Sequence, residues 1–128
     1  MSGKILRTLL LCLALAIPCT AEPALYLFGG DNHDVFLGCV NASEYDSKSI
    51  WNKYGEYGSR YSSTSIWNDY GEYGGKYSNY SPFNPYASNP PAVVDAQGNF
   101  YGYLTANKYN PKRTRIQALL QLVKIGGR

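Results

Sequence analysis

The sequence predicts a small α+β protein: an antiparallel sheet built from two hairpins, 16-residue turn or helical repeats packed on it, and a C-terminal amphipathic helix. Three observations predict it. Paired apolar runs flank clusters of Gly, Asp, Asn and Gln at both ends of the chain. A tyrosine-rich middle repeats with a period of 16 residues. The last segment spaces its aliphatic residues at helical intervals.

The chain opens with Lys4 and Arg7, then the apolar run Thr8 to Ile17, then Pro18-Cys19-Thr20-Ala21. A basic start, a short apolar stretch and a small-x-small end are the parts of a secretory signal peptide, expected over residues 1–21. The run falls short of the ~20 residues that a membrane-spanning helix needs. A buried N-terminal helix and lipoprotein processing at Cys19 are weaker alternatives; Pro18 stands where lipoprotein processing wants a small residue. Residues 22–128 then form a single domain, secreted or periplasmic, with no transmembrane segment. Removing Lys4 and Arg7 lowers the formal net charge from +3 to +1. What remains is uneven. Residues 22–107 hold nine acids against four bases, whereas six bases and no acid follow from Lys108 onward. Such a tail reads first as a solvated helix face, and second as a contact for an anionic surface.

In residues 22–44, Ala24 to Phe28 and Val35 to Val40 read as strands around the turn formers Gly29 to Asp34. Cys39 has no partner within the domain once Cys12 and Cys19 are removed with the signal, and its apolar context predicts a buried thiol.

Residues 45–88 carry the repeats. Tyr45-Asp46-Ser47-Lys48-Ser49-Ile50-Trp51-Asn52-Lys53-Tyr54-Gly55-Glu56-Tyr57-Gly58 recurs from Tyr61 to Gly74, and a shorter copy runs from Tyr77 to Ala87. Ser49 and Ser65 suit helix N-caps, and Gly55 and Gly71 suit helix ends, so each copy is expected to contain one or two helical turns. In residues 89–107, Asn89-Pro90-Pro91 stops the repeats. A second hairpin follows, entering at Val93-Val94, turning at Asp95 to Asn99 and returning through Phe100 to Thr105. In residues 108–128, Asn110-Pro111 can start a helix that puts Ile116, Leu119, Leu120 and Val123 on one face.

Catalytic chemistry finds little support. Asp31, Asn32, His33 and Asp34 match no zinc or calcium spacing and suit a turn equally well. His33 and Cys39 are a conceivable base and nucleophile, but nothing near Cys39 would activate its thiol. Glu56 and Glu72 recur because the repeat copies them. No catalytic, metal or cofactor site is expected, and the chain is not read as an enzyme. The aromatic repeats carry more. Trp51, Tyr54, Tyr57, Trp67, Tyr70, Tyr73, Phe83 and Tyr86 form the candidate ligand-binding set, because spaced aromatic faces stack on sugar rings. The competing expectation is that Trp51, Trp67 and Phe83 fill the core. Nucleic acid is disfavoured by the acidity of the region. A cell-wall glycan and a secreted protein are the expected partners. A structural module that self-associates through tyrosines and Cys39 is the alternative.

Leu25-Tyr26-Leu27-Phe28-Gly29-Gly30, Phe36-Leu37-Gly38-Cys39, the Ser-Ile-Trp-Asn-x-Tyr-Gly-x-Tyr-Gly copies, Asn89-Pro90-Pro91 and Gly98-Asn99-Phe100-Tyr101-Gly102 resemble a group of short exported bacterial proteins. Related segments also occur as C-terminal extensions of some secreted trypsin-like peptidases. The resemblance runs from the start of the domain to Thr105. In that group a second cysteine often stands three residues after Leu-Gly-Cys; Ala42 stands there here, which removes any Cys-x-x-Cys pair. The resemblance implies an exported accessory module and no particular activity.

Overall fold

The computed structural model describes residues 22–126, so the expected signal peptide at 1–21 lies outside the described residues. Strands β1 (Leu25–Gly29), β2 (Val35–Cys39), β3 (Ala92–Asp95) and β4 (Phe100–Tyr103) form one four-stranded sheet in the order β2-β1-β3-β4, antiparallel at every pairing. Both expected hairpins are present. β1 and β3 join them, with Leu27 opposite Val93 and Tyr26 opposite Val94. Leu27 and Val93 are fully buried, as expected for β-formers on the inner face of a sheet.

Both edge strands end in the same kind of one-residue parallel bridge. Cys39 donates its N–H to Lys48 O at 2.7 Å and accepts from Ile50 N at 3.0 Å. At the other edge, Tyr103 donates to Lys112 O and accepts from Thr114 N, each at 2.8 Å. The glycine before each bridge, Gly38 or Gly102, has positive φ (112° and 100°). A Cβ on Gly38 would meet Tyr57 Cβ at 2.8 Å, and one on Gly102 would meet Thr114 Cα at 2.7 Å. The shared geometry follows a shared sequence. Phe36, Gly38, Ala42, Tyr45 and Lys48 recur 64 residues later as Phe100, Gly102, Ala106, Tyr109 and Lys112.

Between the hairpins the expected helical turns do not form. Backbone N–H groups of Asp46, Ser49, Asn52 and Gly55 donate to the carbonyls of Ser43, Asp46, Ser49 and Asn52, three residues back. The pattern resumes with Ser65, Asn68 and Gly71 bonding to Ser62, Ser65 and Asn68. A four-residue step separates the runs, where Ser59 N bonds to Gly55 O and Gly75 N to Gly71 O. One 16-residue period is therefore a chain of β-turns. Each turn is begun by Ser, Asp, Asn or Gly, residues whose short side chains compete with helical hydrogen bonding. Ser49 and Ser65 act as turn starters and not helix caps. Gly55 and Gly71 are turn starters too, outside the left-handed region that a helix-ending glycine would occupy.

The helix is α1 (Gln117–Gly126), shorter than the expected 108–128. Its start is delayed because Asn107, Asn110 and Thr114 spend their side-chain oxygens on the N–H groups of Tyr109, Lys112 and Ile116. The pairing of residues 112–114 with Tyr103 also holds that stretch extended. Leu119, Leu122 and Val123 of α1 are buried in the same cluster as Leu27, Leu37, Val93, Ile50 and Ile66. Burying Ile50 or Ile66 contributes roughly 2 kcal/mol each. Among the described residues no helix is long and apolar enough to cross a membrane.

The β3–β4 turn is organised by Asp95. Its Oδ1 accepts from Gln97 N and Asn99 N, and its Oδ2 from Asn99 Nδ2 and Tyr101 OH, all at 2.9 Å. These donors, the Asn99 amide first, lower the carboxyl to about 2. The same bond raises Tyr101 above the ordinary phenol value.

Two outcomes are expected. Gly98 also has positive φ (86°) but open space around it, so Gly98→Ala should cost about 1 kcal/mol from backbone strain alone. Gly102→Ala adds backbone crowding and should cost roughly 3 kcal/mol in urea denaturation; equal losses would refute the edge-docking role. The Asp95 carboxyl, followed by NMR, should titrate near pH 2. A depressed value means its stabilisation is fully present above about pH 4 and fades as pH falls through 2. Asp95→Asn should abolish that acid-sensitive component.

Candidate functional site

Because turn starters recur every third residue, the residues two places after them fall into rows along the repeats. Ser49, Ser65 and Ser81 are fully buried, and their Oγ atoms accept from Trp51 N, Trp67 N and Phe83 N at 3.0, 3.0 and 3.1 Å. The rings so placed follow one another: Trp51 to Trp67 at 5.6 Å between centroids, and Trp67 to Phe83 at 5.7 Å. Both indoles are pinned by their N–H groups, Trp51 Nε1 to Val40 O at 2.9 Å and Trp67 Nε1 to Ile50 O at 2.6 Å. Exposure falls along the row, from 41% at Trp51 to 7% at Phe83.

Asn52, Asn68 and Asn84 start the next turn. Each accepts through Oδ1 from the N–H of Tyr54, Tyr70 or Tyr86 at 2.9–3.1 Å. Each also donates through Nδ2 to a carbonyl six residues back, on Asp46, Ser62 or Ser78. The amide thus ties two turns together while its tyrosine points outward. Tyr54, Tyr70 and Tyr86 are 98, 100 and 88% exposed.

Tyr57 and Tyr73 point the other way. Tyr57 meets Phe36 edge-on at 4.9 Å, and Tyr73 lies over Gly29 and Leu37 with 9% exposed. Burial, then Glu56 or Glu72 nearby, raises both phenols above their ordinary value. The eight candidate residues therefore divide: an exposed tyrosine row, an aromatic row graded from half-open to buried, and a pair facing the sheet, Tyr73 in the core and Tyr57 half-buried. A second exposed row, Tyr45, Tyr61 and Tyr77, was not assigned from sequence although it shares the 16-residue period. Neither were Lys53, Arg60 and Ile125, which join Trp51, Tyr61 and Trp67 around a cavity of 380 Å³. Ile125 comes from α1, so only the tertiary fold brings it there.

The catalytic alternatives lose their geometry. His33 stands in the turn before β2 and Cys39 at the strand's far end, so the length of β2, roughly 13 Å, lies between them. His33 Nε2 lies 2.9 Å from Pro90 O, and Asp31 accepts from Tyr80 OH at 2.8 Å and from Asn89 Nδ2, so this loop is stapled to the end of the repeats. The Asp31 contact raises Tyr80 above the ordinary phenol value. Cys39 is a free thiol, 5% exposed, with Sγ directed to Asn41 Oδ1. Among the described residues no three His, Cys, Asp or Glu side chains gather as metal ligands would.

No family model, curated protein or solved structure matches this chain.

The two tyrosine environments predict a contrast in stability. Tyr70→Ser should leave unfolding free energy within about 0.5 kcal/mol of wild type, whereas Tyr73→Ser should lose roughly 3 kcal/mol. Similar losses for both, in urea denaturation, would show that the exposed row is structural.

Proposed function

We propose that this protein is a non-enzymatic carbohydrate-binding module acting outside the cytoplasm, with the 16-residue copies serving as equivalent docking units for a wall or extracellular glycan. One observation carries the reading: the partly exposed Trp51 and Trp67, in ring contact at 5.6 Å, lie among tyrosines that recur every 16 residues and stand 88–100% exposed. Rigid aromatic side chains lose little entropy on binding, and the pinned indoles are already ordered. Export rests on the amino-terminal sequence alone.

Self-association through the tyrosine rows is the second reading, favoured by their near-complete exposure, since such side chains are enriched at protein interfaces. A disulfide through the buried Cys39 does not contribute to it.

Titration of the purified protein with soluble glycans should quench or shift the emission of the partly exposed Trp51. The Tyr54→Ser/Tyr70→Ser/Tyr86→Ser variant should unfold at the wild-type temperature and lose at least tenfold in affinity. A folded variant with full glycan affinity would remove the tyrosine row from the site. Concentration-dependent sedimentation without any glycan response would establish self-association instead.

A further inference from the structure

We infer that two neighbouring grooves of the repeats are subsites for an acidic polysaccharide, each pairing an aromatic face with a cation for a sugar carboxylate; this rests on the glycan reading above. The larger groove is the 380 Å³ cavity beside Trp51 and Trp67, with Lys53, Arg60 and Tyr61 on its wall. The smaller, of 230 Å³, is lined by Lys76, Tyr77 and Phe83 together with Pro85 and Tyr86. Lys76, Tyr77 and Phe83 are the 16-residue counterparts of Arg60, Tyr61 and Trp67, so the second groove repeats the cation–tyrosine–aromatic set of the first. A ligand that uses both must itself repeat, which points to a polymer.

Charge identifies the kind of polymer. Residues 22–107 are acidic, with nine carboxylates against four bases. Yet three of those four bases, Lys53, Arg60 and Lys76, line these two grooves, and no acidic residue does. Among the described residues, none of the three is engaged by a carboxylate of the protein. Cations beside accessible aromatic surface in an otherwise acidic region, Trp51 and Tyr61 in one groove and Tyr77 and Tyr86 in the other, complement a ligand whose repeating unit presents an apolar ring face and a negative charge. A neutral sugar would use the rings alone. A uronate uses both the rings and the cations.

The test compares an oligogalacturonate, an oligomannuronate and a glucuronate-containing oligosaccharide with the carboxyl-reduced, neutral form of each, by calorimetry and Trp fluorescence. At least one acidic oligomer should bind ten times more tightly than its reduced form at low ionic strength, and added salt should erase that preference. The Lys53→Gln/Arg60→Gln/Lys76→Gln variant, folded as judged by its thermal transition, should bind the acidic and reduced forms alike. Equal wild-type affinity for acidic and reduced forms would overturn the acidic assignment and leave carbohydrate binding intact. No response to any of them would overturn both. Equal affinity for a single-stranded DNA of matched charge would also overturn the proposal, by showing attraction to polyanions without sugar recognition.

Discussion

The structure depends on one short contact made repeatedly: a side-chain oxygen accepting the backbone N–H two residues further on. Between the two hairpins the described chain has neither helix nor ladder to satisfy its peptide groups, and buried peptide groups left unpaired are costly. Ser49, Asn52, Ser62, Ser65, Asn68, Ser78, Ser81 and Asn84 supply the missing acceptors. Each such contact bends the chain into a turn, and at every one of these starters but Ser81 the N–H three residues on returns to the starter's carbonyl. The polar, low-complexity composition of the segment is thus the means by which it becomes ordered.

Once the turns are set, side-chain direction follows from position. Ser49, Ser65 and Ser81 are buried, which lets Ile50 and Ile66 join Leu27, Leu37 and Val93 in the core. The asparagine starters, half-buried at Asn52 and Asn68 and buried at Asn84, carry tyrosines into solvent. The indole N–H groups then bond back to Val40 and Ile50 carbonyls, so aromatic faces are held in place before any ligand arrives. Sheet and repeats are joined at Gly38, where only a glycine leaves room for Tyr57 and Ile50 to meet the strand.

The sheet was legible because apolar runs flanking clustered turn formers have few other readings. The 16-residue period was legible because two copies are nearly identical. The finer period of three was not, for a specific reason. A serine oxygen accepting an N–H two or three residues on is the first contact of a helix cap and of a serine turn alike. What separates them is whether the following carbonyl is reached at the third or fourth residue, and only the assembled chain decides that. The C-terminal helix was placed too early for a related reason. Asn110-Pro111 is a sound helix start locally, but the chain closes a single turn there, Arg113 N to Asn110 O, and Arg113 then bridges to Tyr103.

The sequence by itself determined the strands, their turns, the repeat and the presence of recurring aromatic residues, because these follow from propensities and spacings of near neighbours. Tertiary structure alone decided which aromatics are accessible. Tyr54 and Tyr57 lie three residues apart with similar neighbours, yet one faces solvent and the other meets Phe36, because the sheet covers one side of the repeats and not the other. It also decided that Arg60 and Lys76 stand beside equivalent aromatic grooves, since a wall containing Ile125 of α1 exists only when the ends of the chain have come together.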